Sequence, residues 1–177
     1  MHIFLTGAIQ VGKSTIIRKT LEQLNQTYGG FKTYFGPDRS SDDRLLYMNG
    51  ADEPEFFTAD YGIAVFKQDC FPQADAAKFN RYGVELILSA KVNRAMIIMD
   101  ECGNLENDAL NFQHEILQTL DEGHPVLGVI KQSSYGWTDM IRNHRNVKLI
   151  TVTSENRNEL PQALVNHYLQ RRCLELR

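Results

Sequence analysis

The sequence predicts an α/β fold in which helices cover both faces of a mainly parallel sheet. Three observations carry that prediction. Short apolar runs alternate with longer stretches of helical periodicity along most of the 177 residues, the pattern of strand–helix–strand crossovers. The runs "AMIIM" and "PVLGVI" are apolar without a break, as strands covered on both faces must be. The first apolar run leads into "GAIQVGKS", a glycine-flanked loop set immediately before a helical segment.

His2 to Thr6 reads as a short buried strand. A helix is expected from Lys13 to about Asn25, because Ile16, Ile17, Thr20, Leu21 and Leu24 recur at helical spacing, with Gly29 and Gly30 as its stop. "GFKTYF" is a second strand, "GPDRSSDDR" a polar turn and "RLLYMN" a return strand. These predict an antiparallel hairpin elaboration near residues 30–67, to which "YGIAVFK" adds a further strand. A helix over 74–90 follows from the spacing of Ala77, Phe79, Tyr82, Leu86 and Ala90. Then come the "AMIIM" strand and an amphipathic helix carrying Leu105, Ala109, Phe112, Ile116 and Leu120, closed by Gly123. "PVLGVI" is a strand, "TDMIRNH" a short helix, "VKLITV" a last strand, and 158–172 a final helix with Pro161 in its first turn. No linker separates these elements, so residues 1–177 are expected to form one domain.

Composition narrows the function classes. The chain is 42% hydrophobic and 23% charged, which fits a packed core and not a disordered segment. A formal net charge of -3 argues against a general nucleic-acid binder. No apolar stretch approaches the ~20 residues that span a bilayer, and the N-terminus lacks a signal-peptide core. Cys70, Cys102 and Cys173 show no metal or redox spacing; reduced thiols in a cytoplasmic protein are the expectation.

The opening loop carries the chemistry. Gly7 to Ser14 fits G-x-x-x-x-G-K-[ST] at every fixed position, between a strand and a helix as that motif requires. Glycines let successive backbone N–H groups face phosphate oxygens, and the helix start adds the positive end of its dipole. Gly7, Ala8, Ile9, Gln10, Val11, Gly12, Lys13, Ser14 and Thr15 are therefore the expected nucleotide-binding residues. Lys13 would reach the β- and γ-phosphates and serve catalysis, and the Ser14 hydroxyl would ligate Mg²⁺. "AMIIMDE" delivers Asp100 and Glu101 at the carboxyl end of a buried strand, the edge where open parallel sheets bind ligands. Asp100 is the second expected metal residue. Glu101 is placed to deprotonate a water attacking the γ-phosphate. The adjacent pair also suggests that "PVLGVI" lies between the two strands, with Lys131, Gln132 and Ser133 at its end as candidate polar groups beside the γ-phosphate, each set against a plain loop role.

"FLTGAIQVGKSTIIRKTLEQL", "IIMDECGNLENDALNFQHEIL", "PVLGVI" and "VTSENRNELPQAL" together resemble the small P-loop nucleoside-triphosphatase family that includes the cancer-related nucleoside-triphosphatase. The matching positions are Asp100, Glu101, Gly103, Glu106, Phe112 and Glu155-Asn156-Arg157. The likeness covers most of 1–35 and 73–165 and is weak across 36–72; Cys102, Asn104 and "KQSSYGW" depart from the family's usual residues. The resemblance implies a three-layer, RecA-like P-loop NTPase fold and slow, Mg²⁺-dependent hydrolysis of ATP or other nucleoside triphosphates with broad base tolerance. It also implies that Glu101 is the base; Glu106 is a matching position with a supporting role at most, set against a solvated glutamate at a helix start. Two alternatives remain at this point. One is a small-metabolite or nucleotide kinase using Asp38 and the arginines of "IRNHR"; the other is a nucleotide switch with little turnover, read by a partner through 36–72. Arg142, Arg145 and Arg157 are candidate arginine fingers set against surface roles, and Tyr135 and Trp137 are candidate base-stacking rings set against core roles.

Overall fold

The structure is a computed structural model describing the backbone of residues 1–175 and the side chains of 1–170; the side chain of Cys173 lies outside the described residues. Eight strands form one mixed sheet. They are β1 (His2–Thr6), β2 (Tyr28–Phe35), β3 (Arg44–Gly50), β4 (Gly62–Phe66), β5 (Gln73–Ala74), β6 (Met96–Cys102), β7 (Val126–Ile130) and β8 (Val147–Thr151). Their spatial order is β5-β4-β3-β2-β6-β7-β1-β8. β2, β6, β7, β1 and β8 run parallel, and β3, β4 and β5 extend the sheet antiparallel from β2. The predicted hairpin is thus the start of a broader extension that reaches Ala74. β7 does stand between β1 and β6, as the acidic pair suggested.

Alternation along the strands builds two cores. Phe4, Ile97, Met99, Val126 and Ile130 face one side with Phe79, Ile87, Phe112, Ile116 and Ile141. Those partners come from the stretch 76–93, from α4 (Leu110–Asp121) and from α5 (Trp137–Arg142). Ile3, Leu5, Met96, Ile98, Leu127 and Val129 face the other side, against Ile16, Ile17, Leu24, Leu164 and Tyr168 of α1 (Lys13–Leu24) and α6 (Leu160–Glu175). The result is the three-layer α/β architecture expected. Among the described residues no helix is long and apolar enough to cross a membrane.

Three expectations are corrected. α1 ends at Asn25, whose left-handed backbone (φ 47) closes the last turn on Leu21; Gly29 and Gly30 instead belong to β2. At Gly30 (φ 91) an added Cβ would lie 2.2 Å from the Ile98 carbonyl oxygen, so a close strand approach is what demands glycine. The predicted 74–90 helix is α2 (Ala76–Lys78), a π-helical turn at Phe79–Gly83, and α3 (Val84–Asn93). The helix read from Leu105 begins only at Leu110, because 103–109 is a turn held by the Glu106 side chain, which accepts from Gly103 N at 2.9 Å.

Candidate active site

β1 and β6 deliver the two sequence motifs to one edge of the sheet. After β1 the chain turns at Gly7 (φ 140) and enters α1 through Gly12 (φ 111). A Cβ at Gly7 would meet the Val152 carbonyl oxygen at 2.6 Å, so a side chain there is barred by sterics as well as by φ. α1 starts without a side-chain cap and without an acidic residue in its first turn, which leaves its N–H groups and positive dipole end for an anion. Lys13 Nζ donates to the carbonyls of Gly7 (3.0 Å) and Ala8 (2.9 Å), so its ammonium is already folded over the loop.

These residues wall a cleft of about 810 Å³. Gly7, Ala8, Ile9, Gln10, Gly12, Lys13, Ser14 and Thr15 line it, and Glu101, Lys131, Gln132 and Ser133 close the far side. Val11 is the exception among the expected binding residues: it packs against the α1/α6 core. Asp100 also stands off the cleft wall. It lines an adjoining space behind Ser14 and accepts a hydrogen bond from the Ser14 hydroxyl. Burial pushes the Asp100 carboxyl up to about 6; that hydrogen bond and the Lys13 charge pull it back, while Glu101 adds to the rise.

The Ser14–Asp100 pair fits a magnesium ion. Both donors are hard oxygens, and a crowded carboxylate held near neutrality gains from a cation beside it. Among the described residues no three His, Cys, Asp or Glu side chains converge into a metal cluster, so the remaining ligands of such an ion would be nucleotide oxygens and water.

The family model described as NTPase matches residues 2–165. The chain belongs to this family. It is 28% identical over 176 residues to the nucleoside-triphosphatase THEP1 of Methanosarcina acetivorans, covering 97% of this chain and 98% of that protein. THEP1 from Aquifex aeolicus has the same fold, with a TM-score of 0.74 at 20% identity over 94% of this chain and 98% of that one. A human cancer-related nucleoside triphosphatase superposes at 0.67 with 25% identity, covering 94% and 96%. The fold is that of the P-loop NTPases.

Within this NTPase family frame the other candidates separate. Arg142 is fully engaged, donating to Thr138, Asp139, Ser134 and the Lys131 carbonyl, so it braces the 131–134 turn from behind. Arg145 pairs with Asp121, and neither it nor Arg157 lines the cleft. Asp38 accepts from Leu45 N at 3.0 Å and closes its own loop. Trp137 is buried and donates to the Gly103 carbonyl at 2.8 Å, while Tyr135 is 71% exposed at the cleft's rim. In "VTSENR", Asn156 bonds back to Thr151 and Thr153 in a self-contained turn.

Arg39 is the residue sequence reasoning missed. It lies in the turn after β2 and lines the cleft beside Glu101. The signal existed: once β2 is placed parallel to β6, its carboxyl end points to the site edge, and "GPDRSS" follows directly.

Proposed function

We propose that this chain hydrolyses nucleoside triphosphates to the diphosphate and phosphate, with Mg²⁺, slowly and with broad base tolerance, in the cytoplasm. The observation that carries the reading is Glu101 on the wall of the same cleft that the P-loop lines. Loop N–H groups and Lys13 would bind the β- and γ-phosphates. Ser14 and Asp100 would hold the metal. The chemistry such an ion would supply is positive charge against that developing on the phosphate oxygens. Glu101 would orient a water and take its proton as the oxygen attacks phosphorus. Lys131 and Arg39 line the same cleft and would meet the charge growing on the γ-phosphoryl oxygens, and Arg39 is the better candidate for a finger than any arginine of the 142–157 stretch. Broad base tolerance is supported by Tyr135, since every base offers a face to a rim tyrosine. A cytoplasmic setting is supported by the free thiols of Cys70 and Cys102. One domain over 1–177 is supported by the single sheet that joins the described elements.

The test is phosphate release from ATP, GTP, CTP and UTP with Mg²⁺, wild type beside Glu101→Gln. The variant is expected to bind nucleotide normally and turn over at least ~10²-fold more slowly, the scale of a lost general base. Equal turnover by the two proteins would place the base elsewhere.

A further inference from the structure

A second cleft of about 600 Å³ adjoins the first. Ile9, Arg39, Glu101 and Lys131 line both, so the two spaces share a wall where the γ-phosphate of a nucleotide on the P-loop would end. A hydrolase needs room there for one water, about 30 Å³. The second cleft falls instead in the size range of small-molecule sites. Its walls are unlike a water channel. Phe35, Phe66 and Phe71 line it, and Phe71 is 95% exposed, an arrangement that leaves a large ring unspent at the mouth of a concave site.

Its charge is also specific. The Arg44 guanidinium lies over the rings of Phe35 and Phe66, at 5.4 and 5.3 Å from their centroids. Among the described residues its hydrogen bonding is confined to a long 3.4 Å contact with the Ser41 carbonyl. Arg39 stands on the same wall, and among the described residues neither arginine is in an ion pair with a carboxylate. Of the carboxylates lining the cleft, Glu106 is buried and spent on Gly103 N. That leaves Glu101 at the junction, on the wall the two clefts share.

We propose that this second cleft is an acceptor site for a planar, anionic small molecule bearing a hydroxyl group, to which the γ-phosphoryl group is transferred in competition with water. The proposal rests on the nucleotide reading of the first cleft. The ring packs on Phe66 and Phe71, the anion meets Arg39 and Arg44, and the hydroxyl reaches Glu101. In the transfer step the hydroxyl oxygen bonds to the γ-phosphorus and the bond from that phosphorus to the β–γ bridging oxygen breaks. The hydroxyl proton passes to Glu101, and nucleoside diphosphate leaves.

The test uses a panel of 4-(hydroxymethyl)benzoate, 4-hydroxyphenyl phosphate and pyridoxine 5′-phosphate. Binding is read by saturation-transfer NMR without nucleotide, for wild type, Arg44→Ala and Phe71→Ala. Transfer is then followed with γ-labelled MgATP. At least one compound is expected to bind, with ~10-fold weaker affinity in either variant, while phosphate release from ATP alone is unchanged. Label is expected on the bound alcohol. Failure of the whole panel to bind, equal binding by the variants, or label found only in inorganic phosphate would each overturn the proposal. Hydrolysis of ATP without the panel is read separately, so a failed hydrolase reading shows there, while binding without nucleotide still judges the cleft.

Discussion

Single side chains set the chemistry of this site, and two of them make separable predictions. Arg39→Ala should lower kcat by at least ~10²-fold with little change in nucleotide affinity, because a finger acts on charge that appears only in the transition state; kcat and Kd measured side by side check this. Glu106 concerns stability. Burial pushes its carboxyl from 4.5 up to about 7, the Glu101 charge adding to the rise while Gly103 N–H and Lys131 oppose it. The folded state therefore holds a proton that the unfolded chain releases at lower pH. Stability from this group is whole below pH 4.5 and declines as pH rises toward 7, by about 3 kcal/mol in all. Glu106→Gln should flatten that part of the melting-temperature profile between pH 4.5 and 8, with its gain over wild type at the upper end. The placement of Lys13, Ser14 and Glu101 at one cleft, with Asp100 behind Ser14, was legible in the sequence, because each belongs to a motif of fixed spacing. Arg39 was not: no local pattern marks an arginine that matters only through the strand it follows.

At the scale of elements, the strands with both faces covered were the plainest to read, since double burial writes a continuous apolar run. β5, only two residues long and exposed, writes nothing. The apolar spacing from Leu105 looked helical because it ignores what a buried carboxylate can do to a backbone: Glu106 takes the Gly103 N–H and holds a turn in place of a helix start. Two helices the sequence did mark are joined by a contact it could not. Lys91 of α3 reaches Glu115 of α4 at 2.5 Å and, past the helix end, Glu122 at 3.0 Å, with Lys91 and Glu115 nearly closed to solvent. Lys91→Met should cost about 3 kcal/mol, because it strands the Glu115 carboxylate in a buried site. Urea denaturation would measure it, and adding Glu115→Gln should recover most of the loss.

For the molecule as a whole, ligand and fold are linked. Nucleotide with Mg²⁺ at 100 times its Kd should stabilise the native state by about 2.7 kcal/mol. For a chain of this size that raises the melting temperature by about 5–10 °C. Lys13→Ala should abolish the shift while leaving the unliganded melting temperature close to wild type, which differential scanning fluorimetry with and without nucleotide would show.

β2 is the seam of the sheet, parallel to β6 along one edge and antiparallel to β3 along the other. Apart from Arg39, in the turn between β2 and β3, the groups proposed to activate phosphate hang from the parallel side. Arg44, Phe66 and Phe71, which line only the second cleft, hang from the antiparallel side. Strands and turns beyond β2 can therefore be lengthened, shortened or replaced without displacing Asp100 or the P-loop. Over evolutionary time that lets descendants of one ancestor inherit the reaction intact while each acquires its own clientele, and the part of 36–72 beyond Arg39 is where their divergence should accumulate.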